Sequence, residues 1–281
     1  MLKIPEKVVY TKNSAYHLIL VCEEGFIRSL RLGENSTGSD QSRIDVLNLD
    51  KYLLEYTRMV FAGLLLNPAP RRMLIIGLGG GVIPRMMHGY FPKARIDVVE
   101  IDQEIVKVAR NFFFFQPDER MRVHVADGRM FVQQQAAREP APAYDMVILD
   151  AFNAEYVPFH LVTREFLQLV AAILHPNGVV VANIFATSHI FNEEINTFRA
   201  VYGRCHVFSG KNETNTIAVS PGPDVPDLQP DTAMRRAHLL QEEHGFSFNL
   251  NTVARQFESG FRPRKAEQIL TDADGPTHAS Y

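Results

Sequence analysis

The sequence predicts an α/β fold: a doubly wound sheet of about seven strands with an antiparallel edge, preceded by a small N-terminal β domain. Three observations carry that reading. From Met73 to Asp102 the chain runs apolar strand, glycine loop (Gly77-Leu-Gly-Gly-Gly81), short helix and second strand, closing on Glu100 and Asp102. Two more strands follow and end in comparable residues, Ala126-Asp127-Gly128 after the third and Asp150 after the fourth. Strands alternating with helices imply right-handed crossovers and a parallel core. The last two β-runs, 206–208 and 216–219, have no helix between them, which marks an antiparallel edge.

Taken in order, residues 1–50 form the β domain. Runs 16–22 and 26–32 are β-rich and split by Glu23-Glu24-Gly25, a hairpin signal, while polar 33–42 reads as a loop or hairpin tip. A helix over 50–66 carries Leu53, Tyr56, Val60 and Leu64 on one face, and Asn67-Pro-Ala-Pro70 stops it. The ligand-binding body occupies 51–220. Its strands fall at 73–76, 95–99, 121–125, 144–149 and 179–184; its helices fall at 82–90, 128–135, 163–174 and near 193–202, with a turn at Pro176-Asn-Gly178. Residues 221–281 divide into a proline-rich linker (221–230), a helix (232–244) and a tail from Ala266 expected to fray. The run Phe112-Phe-Phe-Phe115 reads as core or subunit-interface packing, as does Leu64-Leu-Leu66. His88, His124 and His160 read as structural or surface residues.

Composition bounds the function. With 281 residues, 46% hydrophobic and 22% charged, the chain is ordinary globular material. A net charge of −3 disfavours nucleic acid as a partner. Cys22 and Cys205 lack metal-type spacing, so no metal is expected and a reduced cytoplasm is the default setting. No apolar run approaches the ~18 residues of a membrane span, and Met1-Leu-Lys-Ile-Pro5 lacks a signal-peptide core. A cytoplasmic protein with no membrane partner is expected.

The candidate site lies where the strands end. Glycines let the backbone turn sharply and come close to a ligand, because no Cβ blocks the approach. An acid at the tip of the second strand can accept hydrogen bonds from both ribose hydroxyls. Each feature also has a bland reading: a glycine turn can simply pack strand on helix, and Asp127 can cap the helix after it. Four strand ends carrying such residues at one edge favour a ligand. Val82 stands where the third glycine of a dinucleotide fingerprint falls, and no Gly-Lys-Ser/Thr follows the glycines. A single nucleoside fits better than a dinucleotide.

The ordered set of Gln41, Tyr56, Gly77 to Gly81, Val99-Glu-Ile-Asp102, Ala126-Asp-Gly128, Tyr144-Asp-Met-Val-Ile-Leu-Asp150, Leu161-Val-Thr-Arg-Glu-Phe-Leu167 and Leu174-His-Pro-Asn-Gly178 resembles the spermidine synthase family. Its members are polyamine aminopropyltransferases with a Rossmann-like, class I methyltransferase fold behind a small β domain. The resemblance spans roughly residues 15–220. It implies decarboxylated S-adenosylmethionine, or S-adenosylmethionine itself, as co-substrate. Gln41 would touch the tail of the donor, and Gly77, Gly79, Gly80 and Gly81 would pass beside it. Glu100 would hold the ribose, Asp127 with Gly128 the adenine. Asp150 would help deprotonate a small-molecule amine acceptor held near Tyr56 and Asn153. The resemblance also implies a homodimer or larger assembly.

Three departures from the family pattern stand out. Synthases carry an Asp in the glycine loop, where this chain has Gly79 or Gly80. Their second acid and proline after the fourth strand are absent from Asp150-Ala-Phe-Asn153-Ala. Their Tyr-His/Gln-Glu on the helix is Tyr56-Thr57-Arg58. An ammonium stripped of water without carboxylate partners costs several kcal/mol, so a plain diamine acceptor is disfavoured; Glu155 and Glu104 are the available substitutes. Aminopropyl transfer therefore stands as the first expectation, with S-adenosylmethionine-dependent methyl transfer and a non-catalytic nucleoside-binding protein as alternatives.

Overall fold

A computed structural model describes residues 5–33, 40–151, 157–210, 215–263 and 268–275. The N-terminal sheet is an antiparallel meander of β1 (Lys7–Asn13), β2 (Leu18–Glu24), β3 (Ile27–Leu32) and β4 (Asp40–Asp45). Gly25, at φ +63°, makes the tight turn between β2 and β3. Ile19, Val21, Leu30, Leu32 and Ile44 point to one face and join the core of the larger unit. Arg28 reinforces that union by donating to the Phe112 carbonyl (2.6 Å), while Tyr10 packs on the Phe112 ring. Asp40 to Ser42, expected in a loop, belong to β4, because they pair with β3 rather than project as a tip.

The helix expected over 50–66 is shorter. It consists of α1 (Glu55–Met59) and a 3₁₀ turn (Val60–Leu65) whose six residues are all buried. The tight coil lies flat on the sheet. A Cβ on Gly63 would stand 2.6 Å from Val181 Cγ2, so glycine permits the contact.

The main sheet runs β10-β11-β9-β8-β5-β6-β7, from β5 (Arg72–Ile76), β6 (Arg95–Glu100), β7 (Met121–Val125), β8 (Tyr144–Leu149), β9 (Leu174–Phe185), β10 (His206–Ser209) and β11 (Asn215–Pro221). β7, β6, β5, β8 and β9 are parallel; β11 and β10 complete the expected antiparallel edge. β9 begins earlier than expected: the Pro176-Asn-Gly178 turn lies inside it, as an irregularity opposite Tyr144. α4 (Gly128–Ala136), α5 (Arg164–Ala172) and α6 (Phe191–Tyr202) cover one face, and α2 (Val82–Tyr90) and α3 (Gln103–Phe112) the other.

The chain lays out β5, β6 and β7 toward one edge, then returns to place β8 on the far side of β5. That reversal is the topological switch point, where α/β sheets of this kind open a crevice at the strand ends. The loop after β5 and the residue after β8 meet there: the Asp150 N–H donates to the Ile76 carbonyl at 2.8 Å.

The C-terminal part is integral to the core. α7 (Pro230–His244) and α8 (Leu250–Arg255) pack over the 3₁₀ turn, and Phe61, Tyr90, Phe246 and Phe248 form an aromatic cluster with ring centroids 4.8–6.0 Å apart. The tail expected to fray is tied down over 268–275. The Leu270 N–H donates to Thr197 Oγ1 (2.8 Å), the Leu270 carbonyl accepts from the Arg164 N–H (2.8 Å), and Asp272 pairs with Arg129. These anchors are far apart in sequence, which is why composition missed them. Cys22 and Cys205 are buried free thiols. No helix of the described residues is long and apolar enough to cross a membrane.

Candidate active site

β5 delivers its chain end as four buried residues, Met73 to Ile76, and the backbone then turns through Gly77 at φ +98°. A Cβ at that position would stand 2.2 Å from the Asp150 carbonyl oxygen. The first glycine is thus forced by the approach of the end of β8. Gly81, at φ +74°, starts α2 against the face of Phe115, whose ring would meet its Cβ at 2.6 Å. Two members of the phenylalanine run, Phe113 and Phe115, are fully buried beneath the loop.

Ser42 of β4 enters the same loop. The Gly80 N–H donates to Ser42 Oγ at 2.8 Å, and added Cβ atoms on Gly79 and Gly80 would lie 2.9 and 2.8 Å from Ser42 atoms. The space an acidic side chain would need is filled. The neighbouring Gln41 offers its carbonyl to the Tyr56 hydroxyl (2.9 Å), so the residues expected at the donor tail and the acceptor are brought together.

Glu100 closes β6. Its Oε2 accepts from the Leu78 N–H and its Oε1 from the Asp102 N–H, both at 3.0 Å. Burial pushes its pKa up, and the backbone N–H groups pull in the opposite direction. The carboxylate is held rigidly beside the glycine loop. Asp102 caps α3 through the Glu104 N–H (2.8 Å) and is a structural residue.

Asp127 does cap α4, accepting from the Met130 N–H at 2.9 Å. Its other oxygen lies 2.9 Å from His160 Nε2. Burial alone would raise its pKa, but the His160 contact and the backbone N–H groups outweigh it and hold the carboxylate below its ordinary range. His160, expected to be structural or at the surface, has such a role, fixing the orientation of the Asp127 carboxylate. Gly128 serves packing as well, since a Cβ there would press on Ile76 at 2.6 Å.

Asp150 lies at the switch point, with its Oδ1 accepting from Asn183 Nδ2 at 2.8 Å. Burial raises its pKa to about 7, the Asn183 bond opposing that rise. Asn183 is in turn held by Asn215 Nδ2 (3.0 Å). Of the possible substitute acids, Glu104 is engaged by Lys107 at 2.6 Å; Glu155, like Asn153, lies outside the described residues. Arg58 is partly exposed on α1, the helix that carries Tyr56.

Sequence reasoning missed Ser42, His160, Asn183 and Asn215. Asn183 alone left a signal, as the polar residue within the apolar run 179–184. Among the described residues no group of three His, Cys, Asp or Glu side chains is placed to hold a metal ion.

Comparison with known proteins gives the family. Residues 44–211 match the family model of the spermine/spermidine synthase domain. A polyamine aminopropyltransferase of Vibrio vulnificus is 37% identical over 228 residues, covering 79% of this chain and 74% of that protein. An eEF1A lysine and N-terminal methyltransferase of Mus musculus is 38% identical over 210 residues, covering 69% of this chain; the chain spans only 29% of that relative's length. The crystal structure of human methyltransferase-like protein 13 in complex with SAH superposes with a TM-score of 0.62 at 28% identity, covering 79% of this chain and 99% of that one. With the family model matching over more than half its length, this chain belongs to the spermine/spermidine synthase family of transferases.

Proposed function

We propose that the chain moves an aminopropyl group from decarboxylated S-adenosylmethionine to a small-molecule amine. The observation that carries this reading is Asp150, a carboxyl with a pKa of about 7 set beside the glycine loop at the switch point. An amine is protonated at neutral pH and attacks carbon only after losing that proton. A carboxylate with raised proton affinity is the better acceptor for it. The amine nitrogen then bonds to the carbon next to the sulfonium, the C–S pair returns to sulfur, and methylthioadenosine leaves. In this reading Glu100 accepts the ribose hydroxyls and Asp127 with Gly128 meets the adenine. Gly77, Gly79, Gly80, Gly81 and Gln41 line the donor tail, and Tyr56 the acceptor; Asn153, the other residue expected there, lies outside the described residues. The rest of the catalysis is in-line placement.

Methyl transfer from S-adenosylmethionine is the second reading, favoured by one specific observation: Ser42 stands where the side chain of a loop acid would go, so the glycine loop itself presents no acid to a donor carboxylate. Calorimetric titration with both donors separates the two. The aminopropyl reading expects decarboxylated donor to bind at least as tightly as S-adenosylmethionine; a reversed preference moves the assignment to methyl transfer.

We also propose a cytoplasmic homodimer or larger assembly. Phe26 and Leu47, 60% and 70% exposed, stand near each other on the N-terminal sheet, where the Val46 N–H meets the Phe26 carbonyl. Such apolar surface favours burial against a second copy. Light scattering at micromolar concentration should give at least twice the monomer mass, and a monomer would contradict the proposal.

A further inference from the structure

We infer that Asn183, locked in orientation by Asn215, is the positioning residue that keeps Asp150 able to accept a proton and turns one of its oxygens toward the acceptor. The inference deepens the proposed function and rests on it for the identity of the reacting group. The three residues stand on neighbouring strands at the carboxyl edge: Leu149, just before Asp150, pairs with Ala182, and β11 runs antiparallel on the other side with Asn215 opposite Phe185.

A buried amide has two different ends, and which end faces a carboxylate decides everything. Asn183, only 4% exposed, donates through Nδ2 to Asp150 Oδ1 at 2.8 Å, while its own Oδ1 accepts from Asn215 Nδ2 at 3.0 Å. Turning the amide over would press carbonyl oxygen against carboxylate oxygen and leave the Asn215 donor without a partner. Asn215 therefore fixes Asn183 with its donor toward Asp150. No charged side chain among the described residues sets the proton affinity of Asp150; burial and the Asn183 bond are its determinants. The Gly77 backbone packs on the carbonyl side of Asp150 and contributes no charge. Asp150 is half-buried, and its Oδ2 takes no hydrogen bond from the described residues. One oxygen is anchored, and the other has no protein donor among the described residues, as an oxygen meant for the acceptor requires. The antiparallel edge thereby acquires a task beyond finishing the sheet, since β11 supplies Asn215.

The test needs neither donor nor acceptor. Protein labelled with ¹³C at the aspartate carboxyl carbon is titrated by NMR, with the Asp150 signal assigned by its loss in Asp150→Asn. The wild-type midpoint should lie near 7. Asn183→Leu removes the donor and should raise it by about one to two units, the worth of one charge-assisted hydrogen bond. Asn215→Leu frees the amide to turn and should give a smaller rise in the same direction. Asn183→Thr retains a hydroxyl donor and should recover part of the wild-type value; it serves too if the leucine variant does not fold. A merely structural role predicts lower thermal stability in these variants with the midpoint unmoved. An unmoved midpoint in folded Asn183 variants overturns the inference, whatever group the enzyme transfers. A shifted midpoint in a protein that proves to methylate would retain the inference and displace only the donor assignment.

Discussion

Glu100 and Asp150 are both carboxylates at strand tips, yet their surroundings give them different work. Glu100 is clamped by two backbone N–H groups and has lone pairs left for a diol. If it accepts both ribose hydroxyls, Glu100→Ala should weaken methylthioadenosine binding by roughly 2–4 kcal/mol, two charge-assisted hydrogen bonds' worth. Unchanged calorimetric affinity in a folded variant would remove Glu100 from the nucleoside site. Both carboxylates were legible in the sequence because each ends an apolar strand, and chain order alone puts strand ends at one edge. Ser42, His160 and Asn183 were not. Their partners are 33 to 38 residues away, and only folding reveals the contact.

At the scale of elements, the glycine loop is shaped as much by what lies behind it as by its own sequence. Ser42 and Phe113 occupy the positions that side chains on Gly79 and Gly80 would need. An acidic side chain at Gly80 would collide with Phe113 and Ser42, and one at Gly79 would meet Ser42 Oγ, so the loop carries no acid of its own to oppose a donor carboxylate. We expect decarboxylated donor to be preferred over S-adenosylmethionine by less than about a hundredfold, a gap of about 2.7 kcal/mol. A larger preference, read in the same titration that separates the two donors, would show that another group rejects the carboxylate. The strands from β5 to β8 and the helices α2 and α4 were legible because strand and helix periods alternate cleanly there. The helix at 50–66 and the stretch 268–275 of the tail were misread for opposite reasons. In the first, an all-round apolar pattern hides a tight 3₁₀ turn pressed on the sheet; in the second, a polar segment is ordered by distant anchors.

Among the described residues burial raises the pKa of Glu100, of Asp150 to about 7 and of Glu194 on α6 to about 8, the last lifted first by burial and then by Glu193 beside it; Asp150 and Glu194 are the two lifted furthest. In the unfolded chain both ionise near pH 4, so the folded state holds more protons between pH 4 and 8. Stability should therefore fall as pH rises through that window and level off above it. Burial lowers the pKa of His17 and His206 and so gives them the opposite sign below about pH 6.5, which is why the share of Glu194 is read by difference. The melting temperature from pH 5 to 9 should fall less steeply in Glu194→Gln than in the wild type, and an unchanged slope would contradict its assignment. The account turns finally on which group moves. The purified chain should be incubated with decarboxylated S-adenosylmethionine and a panel of amines, and in parallel with S-adenosylmethionine, with products read by mass spectrometry. The account predicts methylthioadenosine in step with an aminopropylated amine, and a rate about 10²-fold or more lower in Asp150→Asn. S-adenosylhomocysteine from S-adenosylmethionine, with no methylthioadenosine from any amine, would contradict it.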